Sequence, residues 1–270
     1  MQPGYYTTLT NHDYHHGEGV SKSQLDLIDK SPALFQWNQH APEDQEKKSA
    51  LNLGDATHAL LLEPERFTTE YAIGPANAPR NTKAGKAAWE AFEAELHGQT
   101  VLSADEGRRL HLIRDSVMAH PHAKWLLEAA GDAEASLYWI DPKENVLCRC
   151  RPDKTIPTLG WLVDVKTTAD ISKFERSMYD YRYHVQDAFY SDGYAAHFGE
   201  PLNGFVFLVV STSIECGKYP VRLFVLDAEA KAAGRTAYRV NLATYADCLR
   251  TGEWSGLETL SLPYWAKERL

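Results

Sequence analysis

Arg151-Pro-Asp-Lys-Thr-Ile-Pro-Thr-Leu-Gly160 followed by Trp161-Leu-Val-Asp-Val-Lys-Thr-Thr168 is the stretch on which the fold turns. Its last eight residues are rich in β-branched and aromatic side chains and read as a strand. Side chains alternate along a strand, so Trp161, Val163 and Val165 face one way while Leu162, Asp164 and Lys166 face the other. An isolated Asp-x-Lys on a strand is usually a solvated edge. Here a hairpin through Thr155 to Gly160 would fold Asp153 back toward Asp164, so that two carboxylates converge beside a lysine. That arrangement suits a hard divalent cation held through oxygen, with the ammonium orienting or helping to deprotonate an attacking water. Without a cation the paired acids repel.

Upstream, 135–140 (ASLYWI) and 146–151 (VLCRCR) read as strands separated by an Asp-Pro turn, giving an antiparallel meander with 161–168. Downstream, 173–198 reads as helix, 204–212 and 219–226 as strands, and 227–250 as a long helix opened by Asp227. The first half is mainly helical. Capped starts lie at Ser21-Lys-Ser-Gln-Leu-Asp26 and Ser31-Pro32, and further helices at 51–63 (ended by Pro64), 82–97 and 104–130 (interrupted at Pro121). The expected fold is α/β of the α+β kind, a central mixed sheet of about five strands flanked by helices, with an N-terminal helical region. One domain spans 1–270, in which 1–130 is mainly helical and 131–270 is the catalytic core.

Two further elements bear on chemistry. Gln186 and Tyr190 are four apart on one helical face; tyrosines there are often half-buried core residues, whereas Gln186 suits orienting a water or a phosphate. His58 lies in the apolar Gly54-Asp-Ala-Thr-His58-Ala-Leu-Leu-Leu62 helix. A lone histidine beside leucines is commonly a hydrogen-bonded core residue, yet a neutral imidazole is also a good metal ligand. Which applies depends on whether that helix packs on the strands.

The net charge of −9 over 270 residues excludes a uniformly basic nucleic-acid coat but not a local basic groove. Between Arg149 and Gln186, the cations Arg149, Arg151, Lys154, Lys166, Lys173, Arg176 and Arg182 outnumber the acids Asp153, Asp164, Asp170, Glu175 and Asp180. Arg149, Arg151, Lys173, Arg176 and Arg182 are the candidate phosphate contacts. No apolar run is long enough to cross a bilayer and no signal peptide is present, which points to a cytoplasmic protein with no membrane partner. Four cysteines, at 148, 150, 216 and 248, have neither disulfide-framework nor zinc-site spacing and are expected to be reduced. There is no Walker A loop for ATP.

Pro152-Asp153, ten residues, then Asp164-Val165-Lys166 resembles the PD-(D/E)XK nuclease signature. Gln186-Asp-Ala-Phe-Tyr190 is similar to the QxxxY motif of the RecB and lambda-exonuclease branch. Gly54-Asp-Ala-Thr-His58 resembles that branch's upstream histidine motif, and Ser21-Lys-Ser-Gln-Leu25 with Ser31-Pro-Ala-Leu-Phe35 its N-terminal helical motif. From Asn11 to Lys267, through CRCRPDK, DVKTTADI and YDYRYHVQDAFYSDGY, the chain resembles the RecE-type (exonuclease VIII) nuclease domain family. The resemblance implies an exodeoxyribonuclease working 5′ to 3′ from double-stranded DNA ends, leaving 3′ single strands and mononucleotides for recombination by annealing. It implies Mg²⁺, with Mn²⁺ able to substitute, bound by Asp153, Asp164, His58 and the main-chain carbonyl of Val165. Lys166 would serve the water, with Gln186 and Tyr190 in support. A homo-oligomeric ring of four subunits and a RecT-like annealing partner are implied as well. The cysteine spacing does not match the iron–sulfur clusters of some relatives. Long N-terminal extensions in that family imply a fragment or a short prophage version here. A restriction-like endonuclease of the same fold, or a DNA-binding module with a decayed site, would be read from many of the same residues.

Overall fold

The computed structural model describes residues 1–42, 53–257 and 259–267. In chain order, the first half contains β1 (Gly4–Tyr6), α1 (Asn11–His16), α2 (Lys22–Lys30), α3 (Pro32–His40), α4 (Leu53–Leu62), α5 (Pro64–Glu70), β2 (Tyr71–Ile73), α6 (Lys83–Ala94), β3 (Thr100–Leu102), α7 (Ala104–Ala119) and α8 (Pro121–Glu128). The strands β4 (Asp132–Ala133), β5 (Ser136–Ile140), β6 (Leu147–Cys150), β7 (Lys154–Ile156) and β8 (Trp161–Thr168) follow. Then come α9 (Phe174–Asp180), α10 (Tyr183–Phe198), β9 (Gly204–Ser211), β10 (Val221–Phe224), α11 (Ala228–Thr251) and α12 (Tyr264–Lys267). Local chemistry sets several boundaries. Ser21 and Gln24 form a reciprocal capping box on α2, Asp227 caps α11, and prolines occupy the first turns of α3, α5 and α8, where a missing N–H costs nothing. Pro64 therefore both closes the helix expected over 51–63 and opens the next one; Leu51 and Asn52 of that expectation lie outside the described residues.

The central sheet is mixed and five-stranded, ordered β10-β9-β8-β7-β4. β8 pairs in parallel with β9 from end to end, but antiparallel with β7 only over Trp161–Val163. The expected alternation holds. Val163 and Val165 are fully buried against Ile113 and Val117 of α7 and Ala123 and Leu126 of α8, while Leu162 joins Phe174, Tyr194 and Phe207 on the opposite face. At roughly 1.5–3 kcal/mol for each buried aliphatic side chain, these two layers fix the register of β8, because a slip of one residue would exchange them.

The expected meander is corrected. β5 and β6 do not join β8 but form a separate antiparallel sheet with β1. The chain crosses from one sheet to the other at Arg151–Asp153, and β7, read in the sequence as part of a turn, supplies the strand next to β8. The central five strands thus include β4 and β7 in place of β5 and β6. Helix α10 lies between the two sheets. Its Val185 and Phe189 pack with Leu137 and Trp139 of the small sheet, and its Tyr194 packs on the large one. The helix expected over 173–198 is broken at Arg182, which takes a left-handed conformation (φ 57°) between α9 and α10. Among the described residues no helix is long and apolar enough to cross a membrane.

The position of α10 depends on a close crossing with α11 at Gly234, where a Cβ would fall 2.0 Å from the His184 carbonyl oxygen. That atom is backbone and cannot swing away. Gly234→Ala is expected to cost about 1–3 kcal/mol, read as a lower urea midpoint, because the two helices must separate. An unchanged midpoint would mean that the crossing has slack.

Candidate active site

The site begins where β7 stops. In the β7–β8 register Lys154 faces Val163, so the next hydrogen-bonded partner would be Pro152 opposite Val165. A proline has no N–H to give, so the ladder ends and the Val165 peptide groups on that side are left open. Two side chains take them up. The Asp153 carboxylate (Oδ2) accepts the Val165 N–H at 2.6 Å, and the His58 ring nitrogen Nε2 lies 2.7 Å from the Val165 carbonyl oxygen. Helix α4 does pack on the sheet, and it brings His58 Nε2 to 3.1 Å from Asp153 Oδ2.

On the neighbouring position of β8, Asp164 is 2% exposed. Its Oδ1 accepts a hydrogen bond from the Gln186 amide of α10 at 2.5 Å, and its Oδ2 contacts the Lys166 ammonium. The ring of Tyr183, one turn before Gln186, lies under that ammonium at 4.7 Å, a cation–π contact that aims the lysine along the strand face. Tyr190, half-buried, packs in both hydrophobic layers beside α10 and lines the same cleft. Burial and the neighbouring Asp153 charge lift the Asp164 carboxyl to about 6, against the pull of Lys166. Burial would raise Asp153 too, but His58, Lys166 and the Val165 N–H together hold it below the ordinary carboxylate range. The His58 imidazole, which burial alone would lower, is held up at about 10 by Asp153. Lys166 likewise stays above its ordinary value because the two aspartates outweigh its burial.

These residues open into a cleft of about 740 Å³, whose walls include His58, Asp153, Lys166, Gln186 and Tyr190. The other expected phosphate contacts are placed differently. Arg149 and Arg151 reach the cleft but are 2% and 8% exposed, and their guanidinium groups are spent on the N-terminal segment. Arg149 donates to the carbonyls of Tyr14, His15 and Gly17, and Arg151 to Leu9 O, Asn11 Oδ1 and Ser136 Oγ. Arg182 pairs with Asp26 and Asp29 of α2. These three arginines staple segments together. Lys173 and Arg176 stand exposed on the α9 side, each beside a local acid, Asp170 and Asp180.

Two residues at the cleft escaped the sequence reading. Glu134, left-handed at φ 52°, donates its N–H to the Asp153 carbonyl oxygen at 3.0 Å; burial and Asp153 push its carboxyl up to about 8. No sequence pattern marks it. Lys22, inside the Ser21–Leu25 motif, enters from the first turn of α2 and pairs with Asp26 at 2.7 Å. Its place right after the N-cap was the available signal.

Whether the residues suit a divalent cation is decided by the atoms around His58. Its Nδ1 lies 2.8 Å from the Gly54 carbonyl oxygen and its Nε2 faces Val165 O and Asp153 Oδ2, so both nitrogens meet acceptors and the ring carries both protons. The Nε2 proton stands where a cation would serve the same oxygens, while Nδ1–H to Gly54 would hold the ligating tautomer. Asp164 Oδ2 is buried without a well-formed hydrogen bond. Among the described residues no three His, Cys, Asp or Glu side chains already surround one point; here part of the donor set is a main-chain carbonyl. One imidazole nitrogen with carboxylate and carbonyl oxygens fits Mg²⁺ or Mn²⁺.

No curated protein matches this chain. Among solved structures, one described as "putative exonuclease" from Eubacterium rectale superposes with a TM-score of 0.63 at 13% identity, over 97% of this chain and 98% of that one. A phage related exonuclease from Haemophilus somnus 129PT gives a TM-score of 0.31 at 11% identity, over 75% of this chain and 96% of that one. The first shares the fold. The family described as a PDDEXK-like domain of unknown function (DUF3799) matches residues 21–258, from the N-cap of α2 past the end of α11 and through every cleft residue from Lys22 to Tyr190. With its open-edged β8, its paired aspartates and its lysine, this chain belongs to that family and, through it, to the PD-(D/E)XK nuclease superfamily.

Proposed function

We propose that this protein is a divalent-cation-dependent exodeoxyribonuclease that digests linear duplex DNA from its 5′ ends, releasing mononucleotides and leaving 3′ single-stranded tails. The observation that carries this reading is the meeting of His58, Asp153, Asp164, Lys166 and Gln186, from α4, the crossing before β7, β8 and α10, with all but the buried Asp164 lining one open cleft. Asp153, Asp164, the Val165 carbonyl and His58 Nε2 would hold Mg²⁺, or Mn²⁺ in its place. When bound, the ion polarises a phosphate oxygen and offsets the charge growing on the leaving oxygen. Lys166, steadied by the Tyr183 ring, orients the attacking water and stabilises it as its proton leaves. Gln186 holds Asp164 at one oxygen, so that the other faces the lysine. Tyr190, one turn on from Gln186, lines the same cleft and packs against both hydrophobic layers, which steadies that face of α10.

The direction of digestion, hand-off of the 3′ tail to a RecT-like annealing protein, and a ring of four subunits follow from the resemblance to the RecE-type nucleases. Charge supports the ring: a monomer of net charge −9 has little long-range attraction for a polyanion, and encirclement retains DNA topologically. The test compares end-labelled linear duplex with covalently closed circles, with and without Mg²⁺. Nucleotides are expected from the linear form only, and only with Mg²⁺, by a particle of four chains in light scattering. Cutting of the closed circle would replace this reading with an endonuclease, and no Mg²⁺-dependent release from either would leave a DNA-binding module.

A further inference from the structure

The α9–α10 junction, Tyr179-Asp-Tyr-Arg-Tyr183, places an exposed aromatic ring at the mouth of the cleft. Tyr181 lines the cleft together with Asp153, Lys166 and Gln186, and is 64% exposed. A single exposed tyrosine is ordinary; a pinned one is not. The Tyr181 carbonyl accepts from Lys22 Nζ at 2.9 Å, and its N–H donates to Ser177 O at 2.9 Å. The next residue, Arg182, is held left-handed (φ 57°) by its pairs with Asp26 and Asp29. A left-handed arginine costs on the order of 1 kcal/mol or more and persists only where its surroundings impose it. Its effect is to turn Tyr181 and Tyr183 to the same side. Their rings stack at 5.8 Å and 27°, and Tyr183 stacks in turn on Phe174 at 5.7 Å. The stack is thus anchored in the core at one end, touches the Lys166 ammonium in the middle, and ends in a solvent-facing ring.

We infer that Tyr181 is a stacking platform for an unpaired nucleobase beside the phosphate presented to Asp153 and Lys166. This rests on the nuclease reading of that cleft. The ligand class follows from geometry: a base within a duplex is covered on both faces and a terminal pair bares only its outer face, so a ring on the cleft wall beside the phosphate suits a base freed from its partner. Every base has a π-face, so the platform accepts any of the four. Because the backbone is already fixed and tyrosine has two side-chain torsions, little order is lost on binding. Beyond it, Lys173, Arg176 and Tyr179, the last 72% exposed, share a second groove that would carry the same strand outward.

The test separates the base site from catalysis. A single-stranded pentanucleotide carrying 2-aminopurine is titrated with the full chain in EDTA, where no cation-dependent cleavage can occur. Binding is expected to quench the fluorescence. Tyr181→Ala should abolish the quench and weaken binding roughly tenfold, the scale of one base–aromatic stack, while Tyr181→Phe should keep both. Unchanged binding and quench in Tyr181→Ala would overturn the inference, even if the parent releases nucleotides with Mg²⁺. So would a changed mass in light scattering with the quench intact, which would make Tyr181 a subunit contact. Quenching that depends on Tyr181 in a protein with no nuclease activity would instead keep the base site and remove the nuclease reading.

Discussion

Asp164→Asn is expected to lower the rate of Mg²⁺-dependent nucleotide release on the order of a thousandfold, with little change in melting temperature when divalent cations are absent. The side chain keeps its size, and its remaining oxygen can still accept from Gln186. Losing the charge removes repulsion with Asp153 but also the partner of Lys166, and these changes oppose each other. The decisive readout is the response to Mg²⁺. A ligand present at a hundred times its dissociation constant stabilises by about 2.7 kcal/mol, so the parent's melting temperature should climb with added Mg²⁺ while the variant's stays flat. Robust digestion by the variant would remove Asp164 from the site.

Lys166→Met gives the opposite pattern. The rate should again fall, by about a hundred- to ten-thousandfold, since the water loses the group that orients it. Here the cation is expected to bind, and to stabilise more than in the parent. Removing the ammonium leaves Asp153 and Asp164 facing one another with only His58 to balance them, which should cost about 3–5 kcal/mol in divalent-free buffer. Added Mg²⁺ then restores the missing positive charge. A variant that no longer responds to Mg²⁺ would make Lys166 part of the scaffold that shapes the site, not a group acting on the water.

What could be read without coordinates was the face on which each side chain lies. The alternation through 161–168 assigned Val163 and Val165 to one layer and Asp164 to the other, and the caps at Ser21 and Asp227 located two helix starts. Which sheet a strand joins was not legible, because period two says nothing about the neighbour. It took the missing N–H of Pro152, seen against Val165, to show why β6 and β8 part company. The roles of Arg149, Arg151 and Arg182 were hidden for a related reason. Arg149 is satisfied by main-chain carbonyls, which look the same in every residue, Arg151 by a carbonyl and two side chains far away in sequence or across a turn, and Arg182 by aspartates more than 150 positions away. Glu134 is invisible for want of any pattern, since its place beside Asp153 comes from a left-handed turn. His58 was ambiguous until the packing of α4 on β8 was known, and that is a long-range contact no window of sequence contains.

The half-open edge of β8 carries a hazard as well as an opportunity. Unpaired peptide groups on a strand invite another chain to add itself, and proteins commonly guard such positions with inward-pointing charge. Here the guards are Asp153 on the N–H and His58 on the carbonyl of Val165, the same groups suited to holding the cation. An ion held by His58 and the Val165 carbonyl would itself cover that carbonyl, so the edge would be protected in that state as well. Resistance to edge-to-edge aggregation is therefore built into the same two side chains and needs no additional strand or loop to supply it.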